Sequence, residues 1–361
     1  MRILDKYILK NVFSSYIFIL LVFVGLHFII DLFSLLSDIL KNKPPIFVLS
    51  NYYLNMLPLI FLRVSPFSLL MGTLYTFGEM NKNNEIVSMR ASGISITRIV
   101  LPVIFISLLI SSLSFFVQEK ILIYSQRKVE EIKEKYIKKS FPQKIERNFA
   151  FRSKNKIFFV KSFNPKSNVL EEVVIFEEDE NQDIVKKYIC QRIIYQDKEW
   201  WTKNIIEYKL NSKGDIKEGP LSWEKKKIDL EETPKKISLK KNNFFEFISL
   251  KELKKEIKRL KKIKASSLLF SLIIDYHKKI VLPLTHFFLV IGVLGFALEI
   301  RKRRVALSSL GIGFLVSFFY YCLFSFSVAL GKAGVILPYL ASWVSALFFF
   351  TVGISALLLI K

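Results

Sequence analysis

The sequence predicts a membrane α-helical fold of six transmembrane helices interrupted by one inserted antiparallel β domain. Two observations predict it. Six long apolar runs, Val12–Ile30, Tyr52–Phe77, Ile99–Val117, Ile280–Leu298, Val305–Leu330 and Pro338–Ile360, meet the roughly 20-residue length a helix needs to cross hydrocarbon. Between the third and fourth lies a polar, lysine-rich stretch of about 160 residues, the size of an independent domain. With 52% hydrophobic residues in 361, the chain is too apolar for one soluble domain of ordinary composition.

The first run follows a basic start, Met1 to Lys10, and no small-residue cleavage site ends it, so it reads as an uncleaved first span. Orientation follows from the short loops. One side carries Arg2, Lys6, Lys10, Lys82, Arg90, Arg98, Arg301, Lys302, Arg303, Arg304 and Lys361; the other carries Lys41, Lys43 and Lys332. Because short positive loops are retained in the cytoplasm, both termini are expected there and the inserted domain is expected outside the inner membrane.

Inside the insert, short runs rich in β-branched and aromatic residues replace the long ones: Lys156–Phe163, Asn168–Phe176, Asp183–Tyr195 and Trp200–Leu210. Asn164-Pro165, Glu180-Asn181 and Ser212-Lys213-Gly214-Asp215 punctuate them as turns, so antiparallel strands in a β-sandwich or open jelly roll are expected. Two helices should flank them: Glu119–Lys139, continuing the third span, and Leu250–Lys264, an amphipathic approach to the fourth.

Several function classes fall away. The net charge of +23 is spread along the chain rather than gathered on one basic helix, which argues against nucleic acid as a partner. Cys190 and Cys322 would sit in different phases, so no disulfide is expected. His27, His277 and His286 lack metal-ligand spacing, and Asp275 and His277 point apart on a helix, so neither a metal site nor an acid/base pair is expected. No Gly-x-x-x-x-Gly-Lys-[Ser/Thr] loop occurs, so no cofactor is expected in this chain and ATP would have to be bound by a partner.

The most specific stretch joins spans two and three: Glu85-Ile86-Val87-Ser88-Met89-Arg90-Ala91-Ser92-Gly93-Ile94-Ser95. Asn83 or Asn84 suits an N-cap, Glu85 the first helical turn and Gly93 the stop, which gives a short helix on the membrane surface. Ile86, Met89 and Arg90 would share one face, offered to a cytoplasmic partner or laid in the headgroups. Among the cations, Lys41, Lys43, Lys278 and Lys279 stand at the outer ends of spans one and four, placed either for lipid phosphates or for snorkelling. Arg63 lies about twelve residues into span two, where an unpaired charge costs roughly 2.5 kcal/mol or more, so it should face a cavity, a lipid phosphate, or Asp31 or Asp38. Phe318, Phe319, Tyr320, Tyr321 and Phe324 read as packing or lipid-facing surface, and Gly311, Gly313 and Ser317 as a close-contact face.

The Glu85–Ser95 run, with Arg98 and Pro102, resembles the signature of the LptF/LptG (YjgP/YjgQ) permeases that export lipopolysaccharide. Matches continue in order through Leu4-Asp5-Lys6-Tyr7-Ile8, Pro58, Pro66, Glu232-Thr233-Pro234, His277-Lys278-Lys279-Ile280, Pro283-Leu284, Leu330-Gly331, Gly334, Leu337-Pro338 and Ala341-Ser342-Trp343. The opening is more similar to the LptG branch. Lys235-Lys236 departs from the acidic pair common in the family, and Tyr339 stands where a second proline is common.

The resemblance implies a non-catalytic permease: residues 1–118 form spans one to three with a coupling helix at 82–95, residues 119–265 a periplasmic β-jelly-roll domain with flanking helices, and residues 266–361 spans four to six. It further implies an LptF-like permease partner, a cytoplasmic ABC ATPase dimer gripping Glu85, Ile86, Met89, Arg90 and Gly93, periplasmic jelly-roll bridge proteins, and lipopolysaccharide as cargo. A membrane-anchored sensor or scaffold that moves no lipid is the alternative; a membrane enzyme is disfavoured because no acid, nucleophile and metal cluster occurs.

Overall fold

A computed structural model describes residues 3–138, 146–165, 167–179, 184–197, 199–210, 216–234, 237, 249–262, 266–299 and 305–359. The chain divides into two compact units, Met1–Val129 with Ile273–Lys361, and Glu130–Leu272.

The first unit is helical. Its elements are α1 (Ile3–Asn42), α2 (Ile46–Lys82), α3 (Glu85–Ala91) and α4 (Ile96–Phe116). A π-helical turn, Val117–Leu122, carries α4 into α5 (Ile123–Ile132), and a second, Lys133–Lys138, extends the same helix. The helix expected over Glu119–Lys139 is therefore present in the described residues as far as Lys138. After the insert come α7 (Ser266–Glu299), α8 (Val305–Lys332), a single turn α9 (Pro338–Ala341) and α10 (Val344–Leu359); α6 (Leu250–Lys262) belongs to the insert.

Among the described residues, five helical stretches are long and apolar enough to cross a membrane, and a sixth apolar helix is the shorter α10. At 16 residues it is about 24 Å long. The sixth expected run is thus split, because Ser342 Oγ donates to the Ile274 carbonyl at 3.2 Å and Trp343 Nε1 donates to His277 Nδ1 at 3.2 Å, pinning the break between α9 and α10 onto α7.

One apolar core runs through this unit: Ile8 and Val12 of α1, Leu69, Leu74 and Phe77 of α2, Ile99 and Val103 of α4, Leu289 and Val293 of α7, Tyr320 of α8 and Phe349 of α10. Helices approach closely where glycines allow it. A Cβ on Gly72 of α2 would stand 2.9 Å from the Tyr16 backbone nitrogen of α1, so only glycine lets the two backbones meet there.

Among the described residues the second unit holds six strands, β1 (Glu146–Ser153), β2 (Lys156–Asn164), β3 (Val169–Glu178), β4 (Ile184–Gln196), β5 (Glu199–Leu210) and β6 (Ile216–Ile228), in one antiparallel sheet ordered β1-β2-β3-β4-β5-β6. The four strands expected from the sequence are present as β2 to β5. The outer two lack a long apolar alternation; β6 in particular is almost wholly exposed and rich in lysine and glutamate, which suits an edge strand. Each strand pairs with its sequence neighbours, so among the described residues the sheet is a meander without the crossover connections of a jelly roll. The expected turns at Glu180-Asn181 and Ser212–Asp215 lie outside the described residues, as do Lys235-Lys236 and Arg301–Arg304.

Phe151, Phe158, Phe163, Val173, Cys190, Ile205 and Trp200 cluster as this unit's core, and Trp200 Nε1 donates to the Glu232 carbonyl at 2.7 Å. Burial pushes the Cys190 thiol up to about 12.

Candidate functional site

The segment between α2 and α4 is built as a short helix with both ends shaped by left-handed residues. Asn84 precedes α3 at φ 58°, and its side chain makes no capping bond, so the side-chain cap expected of an asparagine there is not formed. At the other end Gly93 adopts φ 80°, the Gly93 N–H bonds to the Arg90 carbonyl at 2.9 Å and the Ile94 N–H to the Met89 carbonyl at 3.1 Å. That pair of bonds is the Schellman stop, which requires a residue free to take positive φ and explains the glycine.

Orientation of α3 differs from the expected one. Ile86 is 3% exposed and sits in the bundle core, and Met89 packs against the same core. The apolar side of the helix therefore anchors it to the membrane helices. What faces outward is Val87, Ser88, Arg90 and Ala91, with Ser92 and Gly93 following. Arg90, Ile94, Thr97, Val100 and Leu358 line a groove beside it, so the end of α10 contributes to the same surface. Glu85 in the first turn accepts a hydrogen bond from the Tyr7 hydroxyl of α1 at 2.9 Å. Just before the helix, Asn81 is buried and its amide donates to the carbonyls of Ala297 at 3.3 Å and Leu298 at 2.6 Å, satisfying acceptors that the end of α7 would otherwise leave open.

The five candidate lipid-binding cations are spread over three helices. Lys41 and Lys43 are exposed at the end of α1, where Lys43 takes φ 42° before Pro44-Pro45. Arg63 is exposed on α2 and makes no ion pair among the described residues; Asp31 instead accepts from Tyr52 Oη at 3.2 Å. Lys278 is half-buried on α7, whereas Lys279 is 7% exposed, which places it among packed side chains rather than on a lipid-facing surface.

A polar network in the bundle escaped sequence reasoning. His286 of α7 is 1% exposed, and its Nδ1 lies 2.8 Å from the Pro283 carbonyl, which can only accept. Nδ1 therefore carries the proton, leaving Nε2 of the neutral ring to accept from Ser65 Oγ of α2 at 2.8 Å. Ser65 Oγ in turn lies 2.8 Å from the Tyr16 hydroxyl of α1, and Ser114 Oγ of α4 lies 3.5 Å from the same Nε2. Four helices meet at one imidazole. No spacing rule exposes such a site, since its members lie 49 and 221 residues apart. Among the described residues no group of three or more His, Cys, Asp or Glu gathers as a metal site would require.

Together these features define a polytopic helical membrane protein that carries a β-sheet insert and, between its second and third long helices, a short helix anchored by its apolar side. The chain belongs to the LptF/LptG family: the family model described as "Lipopolysaccharide export system permease LptF/LptG" matches residues 6–360, essentially its whole length. It is thus a lipopolysaccharide export permease by family, a class of membrane components. No curated protein matches the chain.

Proposed function

We propose that this chain is the permease subunit of an ATP-binding-cassette exporter that extracts lipopolysaccharide from the outer leaflet of the inner membrane. It pairs with a second, homologous permease, takes its energy from a cytoplasmic ATPase dimer, and passes the lipid along its periplasmic sheet to jelly-roll bridge proteins. The chain itself carries no ATP-binding loop and no catalytic residue in this reading.

The single observation that carries this is the geometry of α3. A seven-residue helix whose apolar side is sunk in the bundle core cannot move without moving the helices beneath it, and its outward face of Val87, Ser88, Arg90 and Ala91 is small enough to enter a cleft on a partner. Arg90 and Gly93 then belong to the docking surface, while Ile86 and Met89 transmit. Lys41, Lys43, Arg63 and Lys278 supply cations to the lipid phosphates. On the insert, Val174, Ile189, Ile206 and Trp223 line a groove along the sheet that suits acyl chains.

Charge placed on the outward face tests the docking. In a complex co-expressed with its ATPase and partner permease, Val87→Asp with Ala91→Glu should strip away the ATPase on purification while the two permeases stay paired in the membrane. Retention of the ATPase at wild-type stoichiometry would refute α3 as its seat.

A further inference from the structure

The opening Leu4-Asp5-Lys6-Tyr7-Ile8 finds a role in the fold that neither lipid contact nor ATPase docking uses. Ile8 is fully buried in the bundle core. Tyr7, its neighbour, is 42% exposed, and its hydroxyl reaches 2.9 Å to Glu85 Oε2 across 78 residues of sequence. By contrast Ser88 Oγ donates to the Asn84 carbonyl and Ser92 Oγ to the Ser88 carbonyl, bonds that stay inside the α3 segment.

The two ends of the Tyr7–Glu85 bond are unequal partners. Glu85 belongs to a helix already fixed to the chain beneath it: Ile86 is sunk in the core, and α2 and α4 continue it covalently on either side. Tyr7 belongs to α1, which meets the core through Ile8, Val12 and Tyr16 by apolar packing, while only 6% of its most apolar window is buried. Apolar packing is also non-directional and lets surfaces slide. A hydrogen bond to a carboxylate fixes both distance and direction.

We propose that Tyr7 is a positioning residue for ATP-driven lipid movement, its hydroxyl binding Glu85 so that displacement of α3 becomes displacement of the first transmembrane helix. This rests on the exporter reading given above and deepens it. Tyr7 touches neither lipid nor ATPase; it acts through Glu85. Asn81, in the last turn of α2, bonds the Ala297 and Leu298 carbonyls of α7, so polar bonds tie α3 itself to α1 and the helix leading into it to α7.

The test reads coupling rather than stability. The full complex of both permeases and the ATPase, reconstituted in proteoliposomes loaded with lipopolysaccharide, is assayed for ATP hydrolysis and for lipid released per ATP. Tyr7→Phe removes one oxygen and leaves the ring, so assembly and ATP hydrolysis should stay within about twofold of wild type while lipid released per ATP falls roughly three- to tenfold, the scale of one lost hydrogen bond. Glu85→Ala should lower the same ratio, and the double variant should be no worse than Glu85→Ala alone. An unchanged ratio in Tyr7→Phe, additive losses in the double variant, or loss of the ATPase from the Tyr7→Phe complex would each overturn the proposal. If the wild-type complex itself releases no lipid with ATP, the exporter reading fails instead, and the two failures are told apart.

Discussion

Helices α1 and α7 have almost the same hydropathy, with windows averaging 2.5 and 2.3, yet 6% of the first window is buried inside the chain against 72% of the second. Along α1, Phe18, Leu21 and Phe33 stand 65–70% exposed. Along α7, Leu289, Val290, Val293 and Leu294 are wholly buried. Hydropathy reports only that a segment leaves water; lipid and protein interior are equally apolar to it. What separates the two helices is small and polar side chains. Helix α7 carries Gly292, Gly295, Thr285 and His286, which let other backbones approach or bond to them, whereas Gly25 of α1 has nothing near it. Beyond the core residues Ile8, Val12 and Tyr16, most of α1 is thus left open on the surface of this chain, whereas α7 is packed along its length.

The sharpest way to break this contrast is to add methyl groups to glycines on each side of it. A Cβ at Gly353 of α10 would overlap the Ile291 carbonyl of α7, a backbone atom with no freedom to yield, while at Gly25 it would meet open space. Gly353→Val should destabilise the fold by at least the ~1–3 kcal/mol typical of overpacking and abolish monodisperse protein in detergent. Gly25→Val should leave the thermal midpoint of the isolated chain unchanged. Equal loss in both variants would mean that α1 is packed at Gly25 as tightly as α10 is at Gly353.

A second, smaller effect compares histidines. Replacing His286 by Phe removes the ring nitrogens that bond the Pro283 carbonyl and the Ser65 hydroxyl inside the bundle, a loss on the order of 1–3 kcal/mol. His27 of α1 makes no such bond among the described residues, and His27→Phe should be close to neutral by the same measurement of thermal midpoint in detergent. Should His27→Phe prove the more damaging, the polar network would not be what fixes α7.

Much of this architecture was legible in the chain because its signals are local. Apolar length marks the spans, alternation marks β2 to β5, and Gly93 marks the stop of α3 through the conformation only it adopts easily. Orientation about a helix axis was not legible. Ile86, Met89 and Arg90 lie close together on a short helix, and either side of α3 could have been turned to the bundle; the decision rests on a core that Ile86 shares with residues as distant in sequence as Ile8 and Leu289. The same holds for Lys279, whose burial depends on how α7 packs, and for the Tyr7–Glu85 and Ser65–His286 bonds. β6 was missed because its alternation is masked by charge on an exposed edge.

The mildest consequence of the contrast between packed and unpacked surfaces concerns the two thiols. Cys322 lies on an exposed face of α8 and Cys190 is 1% exposed between the strands of the sheet. Alkylation needs the thiolate, and an ordinary cysteine near 8.5 is substantially ionised at pH 8. With its thiol pushed up to about 12 by burial, Cys190 holds on the order of one thiolate in ten thousand at that pH, before access is counted. A maleimide at pH 8 should therefore spare Cys190 until the sheet is unfolded, as mass spectrometry of its peptide would show. The sign of the linked stability follows: because the folded state holds the proton longer than the unfolded one, Cys190 contributes nothing adverse below about 8.5 and progressively destabilises the sheet as pH climbs from there towards about 12. Replacing Cys190 with Ala would remove that alkaline loss at the cost of a small cavity, so its thermal midpoint should fall slightly at pH 7 and less, or not at all, at pH 10. Prompt labelling of Cys190 in the native protein would place it outside the core and put this strand on the open surface.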